Sequence, residues 1–204
     1  MTLSLLVMAR DAAGIKEFLS ANPGSLGQID ELRLVITTDA RFGGQASLSN
    51  RFKASALGQV CGIVHADTTF PGDSLSAFMK TALEGKVAGI VGAREGPPDM
   101  TSEEKNVWGN SIAQETLVST IDCCSIFFRK DIPLSFDEMH FPTWHCVNED
   151  FCLQAHEVGI PVVIPPTPST HVGQSTFQPA WQTEYWAYRQ FLAGKWPHAK
   201  FSTT

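Results

Sequence analysis

An apolar strand, an acidic turn and an amphipathic helix follow one another in residues 60–83, VCGIVHADTTFPGDSLSAFMKTAL. The strand, Val60 to Val64, runs directly into His65-Ala66-Asp67, and the turn 70–73 ends at Asp73, which suits a helix N-cap. The following apolar residues recur at the spacing of a helix with one buried stripe: Leu75, Phe78, Met79, Ala82 and Leu83. A strand, a polar turn and a helix in succession are typical of a layered α/β domain.

The same alternation continues on both sides of this unit. Before it, the sequence predicts a strand at Leu3 to Met8, a helix from about Asp11 to Ser20, a strand at Leu32 to Ile36 and a short helix at Asn50 to Leu57. After it, we expect strands at Val87 to Val91, Cys123 to Phe128 and Ile160 to Ile164, helices at Asn148 to Val158 and Trp181 to Trp196, and loops at 93–101 and 136–145. A further loop is expected at 43–47. The pattern predicts one domain, residues 1–204, with an α/β fold and much parallel sheet.

The composition excludes several classes of protein. Of the 204 residues, 43% are hydrophobic and 18% are charged, which is typical of a globular chain and too polar for a series of membrane spans. The formal net charge of -6 argues against broad nucleic-acid binding, because such binding depends on Lys and Arg that neutralise phosphates.

The amino terminus and the cysteines favour a cytoplasmic protein. The apolar run Met1 to Met8 has no positive charge before it, which predicts a buried strand rather than a signal peptide. The cysteines form an odd set without a CxxC pair, so we expect reduced thiols in the core: Cys61, Cys123, Cys124, Cys146 and Cys152. A zinc site is not expected from the following residues, because their spacing fits no compact structural zinc motif: His140, His145, Cys146 and His156.

Polar groups follow three of the predicted strands. Ala9-Arg10, Asp39 and Asp67 each come just after a strand end. Ligands collect at the carboxyl ends of strands in open α/β sheets, so these residues predict a nucleotide pocket, with three unrelated loop residues as the alternative. The Asp67 carboxylate suits Mg²⁺ or Mn²⁺ bound to phosphates, although an Asp that makes a turn before Thr68 is the simpler interpretation.

A second acidic site opens the helix predicted from residue 148. Asn148 suits an N-cap, and Glu149 and Asp150 lie in the first turn, where the helix dipole favours anions. That local effect alone accounts for such a triplet in most helices. A carboxylate kept ionised at this position is also suited to act as a general base.

Several motifs together resemble the family 2 glycosyltransferases. Phe136-Asp137-Glu138 to Phe141, then Glu149-Asp150 to Ala155, then Gly159 to Pro165 and His171 are similar to the "FDE…F", "ED…L…A…G" and strand-then-His elements of that family. His65 to Leu75 resembles its "DxD" strand end. The order and approximate spacing agree over roughly residues 1 to 192. The resemblance implies a GT-A fold with a mixed, mostly parallel sheet, a nucleoside-diphosphate sugar donor, Mg²⁺ or Mn²⁺, and inversion at the anomeric carbon.

The resemblance also implies roles for individual residues. Asp39 matches the acid that contacts the nucleoside, Asp67 the last Asp of the metal-binding motif, and His171 the residue that reaches the metal or diphosphate. Asp150 matches the catalytic base, and Glu149 would position the acceptor or Asp150. With Ala9 and Arg10, His65 belongs to the implied nucleotide-sugar site, where the family commonly has Asp at the position of His65.

Several aromatic and basic residues in the last third of the chain remain open between two roles. Arg189 is either a ligand of the donor pyrophosphate or a solvated helix charge. Trp144 either stacks on an acceptor sugar or fills a gap under its loop. Trp181, Tyr185 and Tyr188 recur at helical spacing, which favours core packing, and the aromatic tail leaves a peripheral membrane contact open.

These observations favour an inverting glycosyltransferase that acts on an acceptor hydroxyl of a glycan, a lipid or another molecule. Two alternatives remain. The first is a catalytically silent domain of the same fold that binds nucleotide sugars or glycans, motivated by His65 and by the short chain. The second is a hydrolase that uses two carboxylates.

Overall fold

A computed structural model describes residues 1–37, 44–94, 105–172 and 179–199, the side chains of residues 179–182 excepted. Asp39 therefore lies outside the described residues, as do the side chain of Trp181 and most of the predicted loop at 93–101. The helices are α1 (Ala12–Ala21), α2 (Gln45–Ser55), α3 (Ser74–Leu83), α4 (Val147–Glu157) and α5 (Pro179–Lys195). The strands are β1 (Leu3–Ala9), β2 (Glu31–Ile36), β3 (Val60–His65), β4 (Thr68–Thr69), β5 (Val87–Ala88), β6 (Val91–Ala93), β7 (Asn106–Trp108), β8 (Thr116–Leu117), β9 (Thr120–Ile121), β10 (Ser125–Arg129), β11 (Val162–Ile164) and β12 (Thr170–His171).

The main sheet of the described residues has seven strands in the order β2-β1-β3-β10-β5-β11-β8. Strands β2, β1, β3, β5 and β11 run in one direction, and β10 and β8 run against them. The sheet is therefore mixed and mostly parallel, as expected. A ribbon of β4 and β12 and a small sheet of β7, β6 and β9 stand beside it.

The sheet is covered on both faces because side chains alternate along its buried strands. On β1, Leu5 packs into the core that contains Phe18 of α1, whereas Leu6 packs into the opposite core with Phe52 of α2. Helix α3 joins the first core and α4 the second. Every residue of β1 is buried. This explains why its sequence is an almost continuous apolar run rather than an alternation of apolar and polar residues.

The structure confirms most of the long predicted elements and corrects two. Helix α2 begins at Gln45, inside the stretch expected to be a loop, because Gln45 and Ala46 are fully buried and the Gln45 amide donates to the Thr143 carbonyl over 2.9 Å. Tertiary burial outweighs the low helix propensity there. The strand expected at 87–91 is split into β5 and β6, which belong to different sheets.

The cysteines are free thiols, as expected, and four of the five are buried. Tyr185 and Tyr188 pack against the core, which confirms the packing role expected of the aromatic stripe for these two residues. Among the helices of the described residues, none combines the length and the apolar character needed to cross a bilayer.

Candidate functional site

The carboxyl ends of β1 and β3 lie side by side and form one edge of the site. The Ala66 amide donates to the Met8 carbonyl over 2.9 Å, and the Thr37 amide donates to the Ala9 carbonyl over 2.8 Å. Helix α1 begins against this edge, where a Cβ on Gly14 would lie 3.4 Å from the Cβ of Ala9. The structure thus brings the predicted residues Ala9 and Arg10 to the strand end that precedes Asp67.

The β4–β12 ribbon places His171 beside Asp67. In this antiparallel pair His171 lies opposite Thr68, and the Val172 amide donates to the Asp67 carbonyl over 2.9 Å. The His171 Nε2 atom is 3.2 Å from the Asp67 Oδ2 atom. Two residues that are more than 100 positions apart, and that were both expected to face the cation, are therefore in direct contact.

His65 completes a cluster with these two residues. Its ring centroid is 6.3 Å from that of His171, and potential ligand atoms of His65, Asp67 and His171 lie within 4.8 Å of one another. Imidazole nitrogen and carboxylate oxygen are both ligands of divalent transition metals, and the spacing fits a single ion between them. The cluster therefore fits the divalent cation expected from the sequence.

The charges within the cluster stabilise one another. Burial opposes ionisation of Asp67, but the hydrogen bond and the charge of His171 outweigh it and lower the pKa of the carboxyl group. Burial likewise opposes the charge on His171, yet the hydrogen bond that it donates to Asp67 and the charges of Asp67 and Asp122 raise its pKa. Burial lowers the pKa of His65, which keeps that imidazole neutral and suited to bind a metal.

Two further residues at this site, Asp122 and Cys124, were not predicted from the sequence. Potential ligand atoms of Asp122, Cys124 and His171 also lie within 4.8 Å of one another. They reach the cluster because β10 runs antiparallel to β3, so that the His65 amide donates to the Cys124 carbonyl over 2.8 Å. The sequence signal was an acid directly before an apolar strand, which is also a common turn pattern.

Glu149 approaches the same region from the start of α4. Its side chain is buried, and the Oε2 atom has no hydrogen-bond partner among the described residues. Burial and the nearby Asp122 carboxylate raise the pKa of Glu149 to about 7, although the Arg189 guanidinium partly opposes this shift. Glu149 is therefore a carboxyl group that exchanges a proton near neutral pH, electrostatically coupled to the Asp122 side of the cluster.

Asp150, the predicted base, has a different environment. It is fully buried, and its Oδ1 atom accepts hydrogen bonds from Lys195 Nζ at 2.7 Å and Trp196 Nε1 at 2.8 Å. Its Oδ2 atom accepts one from Gln154 Nε2 at 2.8 Å. Lys195 also lies 2.7 Å from the Asp137 Oδ2 atom. Asp150 thus ties the carboxyl-terminal helix to the motif that begins at residue 136.

Asn148 does not cap helix α4, contrary to the expectation. The helix begins one residue earlier, and the buried amide of Asn148 instead donates to the Asp122 carbonyl over 3.0 Å and accepts from Gln45 Nε2 at 3.2 Å. Cys146 occupies the cap position with φ of 60°, a left-handed conformation that is unfavourable for a residue with a Cβ. This strained turn delivers Glu149 and Asp150.

The other predicted contacts surround this helix start. The Arg189 guanidinium lies over the Tyr185 ring, 5.7 Å from its centroid, and its charge acts on Glu149 and Cys146. Trp144 is half-buried and packs against the core beneath its loop. Its role in sugar stacking and that of Arg189 in pyrophosphate binding stay predictions.

Two of the histidines for which no zinc site was expected have other partners. His140 is paired with Asp137 at 2.8 Å, and His156 Nε2 is hydrogen-bonded to the Ser119 carbonyl at 2.9 Å. Within the described ranges, neither histidine belongs to a group of potential metal ligands.

Comparisons with known proteins support the fold. No protein-family model and no curated protein sequence matches the chain. Among solved structures, residues 1–349 of S. aureus TarS in complex with UDP-GlcNAc match with a TM-score of 0.56 and 11% identity, over 99% of this chain and 68% of that one. The mannosyltransferase PcManGT from Pyrobaculum calidifontis, in complex with GDP-Man and Mn²⁺, matches with a TM-score of 0.60 and 15% identity, over 98% of this chain and 65% of that one.

These matches establish the fold class. The mixed α/β architecture, with a large and mostly parallel central sheet between helices, is that of GT-A-like glycosyltransferase structures. The chain spans about two thirds of the length of the structures it resembles.

Proposed function

We propose that this chain is a metal-dependent glycosyltransferase that transfers a sugar from a nucleoside-diphosphate donor to an acceptor hydroxyl, with inversion. The observation that carries the proposal is the cluster of His65, Asp67 and His171 at the carboxyl edge of the sheet. The fold around this cluster is shared with structures that hold UDP-GlcNAc or GDP-Man with Mn²⁺.

The donor is bound at the strand ends. Ala9 and Arg10 would border the nucleotide, and Asp67 and His171 would hold a divalent cation at the diphosphate. When bound, such a cation supplies Lewis-acid stabilisation of the charge that develops on the leaving group. His65 contributes a neutral imidazole at the position where the family commonly has a carboxylate.

The acceptor is deprotonated from the start of α4. Of the two adjacent carboxyl groups, Glu149 is the better base, because its Oε2 atom has no partner among the described residues and its pKa is raised to about 7, near the working pH. Both oxygens of Asp150 are already engaged, because Lys195, Trp196 and Gln154 donate hydrogen bonds to them. We therefore assign the proton transfer to Glu149 and a positioning role to Asp150.

The reaction is a single displacement. The acceptor oxygen attacks the anomeric carbon while its proton passes to Glu149, and the bond from that carbon to the diphosphate oxygen breaks with its electron pair. The nucleoside diphosphate leaves from the face opposite the acceptor, so the configuration inverts. Much of the acceleration comes from holding the two substrates in line.

Turnover of three variants tests this assignment. With panels of UDP- and GDP-sugars and of glycan and lipid acceptors, the wild-type chain should release nucleoside diphosphate only when an acceptor is present. Glu149→Gln should reduce turnover by roughly 100-fold or more while leaving donor affinity unchanged. Asp67→Asn should weaken donor binding in the presence of cation. Asp150→Asn should retain far more turnover than Glu149→Gln, and the reverse order would return the base role to Asp150.

A catalytically silent domain of the same fold is the second candidate. The contacts of Asp150 with Lys195 and Trp196 favour this candidate. They occupy an oxygen of the carboxylate that the sequence predicts to act on the acceptor. Calorimetry separates the two candidates. Binding of a nucleotide sugar without release of nucleoside diphosphate, with every acceptor in the panel, supports the silent domain and contradicts the transferase.

A further inference from the structure

His171 belongs to two groups of potential metal ligands at once. One contains His65 and Asp67, and the other contains Asp122 and Cys124. The β4–β12 ribbon brings His171 to Asp67, and the β3–β10 pairing brings Cys124 to His65. The two groups therefore meet at one imidazole, and the cluster is larger than the pair of Asp67 and His171 that the resemblance implied.

The two groups also interact electrostatically. The charges of both Asp67 and Asp122 act on His65, and both act on Cys124 as well. His65 and His171 are half-buried, Cys124 is fully buried and Asp67 is exposed, so the cluster extends from the surface into the interior.

The donor atoms are not those that Mg²⁺ prefers. Mg²⁺ is bound through oxygen in an octahedral shell and keeps several of its waters. This cluster offers two imidazoles and a thiol in addition to two carboxylates, which is a set suited to borderline transition metals.

We propose that the resident cation of this site is a borderline transition metal of the Zn²⁺, Co²⁺ or Fe²⁺ class, and that Asp122 and Cys124 bind it together with His171. The Cys124 thiol gives its proton to solvent as the metal–sulfur bond forms. Asp67 and His65 lie on the other side of His171, toward the strand end. The inference rests on the proposed function only for the presence of the donor diphosphate beside the cation.

Direct metal binding to the purified full chain tests the proposal. Zn²⁺ and Co²⁺ affinities are measured by competition with a chelating dye, and Mn²⁺ affinity by titration, without any nucleotide. Cys124→Ser should lower the Zn²⁺ and Co²⁺ affinities roughly tenfold or more while changing the Mn²⁺ affinity by less than about threefold. The matched control is Cys123→Ser, the adjacent cysteine that belongs to neither ligand group, which should leave all three affinities unchanged.

Spectroscopy of the wild-type chain provides a test that needs no variant to fold. The Co²⁺-loaded chain should show a thiolate-to-metal charge-transfer absorption that is lost in Cys124→Ser. X-ray absorption of the Zn²⁺-loaded chain should show one sulfur at about 2.3 Å. A zinc shell without sulfur, or identical Co²⁺ binding by the wild type and Cys124→Ser, would overturn the proposal.

The same preparations separate this proposal from the proposed function. Metal bound through Cys124 in a chain that transfers no sugar supports the metal assignment and contradicts the transferase. Sugar transfer that depends on Asp67 but proceeds with a sulfur-free metal shell contradicts the metal assignment and leaves the transferase intact.

Discussion

Glu149 and Asp150 are neighbours in the chain but point into different surroundings. Successive residues of a helix are separated by about 100° around its axis, so one side chain faces the Asp122 side of the cluster and the other faces the end of α5. This separation gives two carboxyl groups of one motif different hydrogen-bond partners, and we propose different roles for them.

The raised pKa of Glu149 predicts a pH-dependent stability. Because its pKa rises from 4.5 to about 7 on folding, the folded chain holds the proton more tightly than the unfolded chain. The contribution of this group to the free energy of unfolding is complete below pH 4.5 and is lost as pH rises through 7. The total loss is about 3 kcal/mol. Glu149→Gln should remove that loss.

Urea unfolding of the metal-free chain at pH 5 and pH 8 measures this effect. From pH 5 to pH 8, the free energy of unfolding of Glu149→Gln should rise by about 2–3 kcal/mol relative to that of the wild type. Glu157→Gln, an exposed position at the end of the same helix, is the control and should show no such gain. Parallel pH profiles for the wild type and Glu149→Gln would contradict the burial of this carboxyl group.

The sequence was sufficient for part of the site and insufficient for the rest, for a physical reason. Asp67 and His171 each follow a strand, and their meeting was expected from motif order. The contribution of Asp122 and Cys124 depends on antiparallel pairing of β10 with β3, a long-range contact that has no local signal. The different environments of Glu149 and Asp150 depend on where α5 packs, which the helical pattern alone does not fix.

Among the elements, α2 and the loop before α4 depend on one close backbone approach. A Cβ on Gly44 would lie 1.9 Å from the Pro142 carbonyl oxygen, so only glycine fits there. This contact sets the start of α2 against the turn that delivers Glu149.

Gly44→Ala should therefore destabilise the fold and disturb the site together. We expect a loss of roughly 1–3 kcal/mol in the free energy of unfolding, because backbone must move to relieve the overlap. Chemical denaturation gives the loss, and turnover of the same sample gives the effect on the site. Gly27→Ala, where an added Cβ would meet nothing within 4 Å, should change neither quantity.

Helix α5 is held to the rest of the described structure partly by Lys195. Its ammonium group lies between the carboxylates of Asp137 and Asp150, and burial of Asp150 makes this contact stronger than a surface ion pair. Since burial also opposes the charge on Lys195, the hydrogen bonds that it donates to both carboxylates are what raise its pKa.

Lys195→Met should leave Asp150 with a buried charge that only Trp196 and Gln154 contact. The expected loss is about 2 kcal/mol in the free energy of unfolding, the usual range for a hydrogen bond to a charged group. Limited proteolysis should also cut α5 faster in the variant than in the wild type. Lys16→Met, at an exposed position on α1, is the control, and equal losses in the two variants would contradict the role of Lys195.

At the scale of the whole molecule, the fold places the candidate cation site and the proposed proton acceptor near the carboxyl ends of the sheet strands. The His65–Asp67–His171 cluster comes from β3 and the β4–β12 ribbon, and Glu149 comes from α4 and interacts with Asp122. These elements pack into both cores, so binding of a cation should stabilise the whole fold.

A divalent cation should therefore stabilise the chain against heat. At a cation concentration 100 times Kd, the expected gain is about 2.7 kcal/mol, or roughly 5–10 °C in Tm for a chain of this size. Differential scanning fluorimetry with Mn²⁺ or Co²⁺, reversed with a chelator, measures it. Asp67→Asn should lose most of the gain, whereas Asp73→Asn, an exposed acid at the start of α3, should keep it.

The most direct measurement is a crystal structure of the chain with Mn²⁺ and UDP or GDP. We expect the cation within about 2.0–2.6 Å of an Asp67 oxygen and a His171 nitrogen, joined to the diphosphate, with the Glu149 carboxyl group on the same side of α4 as the diphosphate. A diphosphate bound away from Asp67, or one separated from Glu149 by the body of α4, would contradict the account.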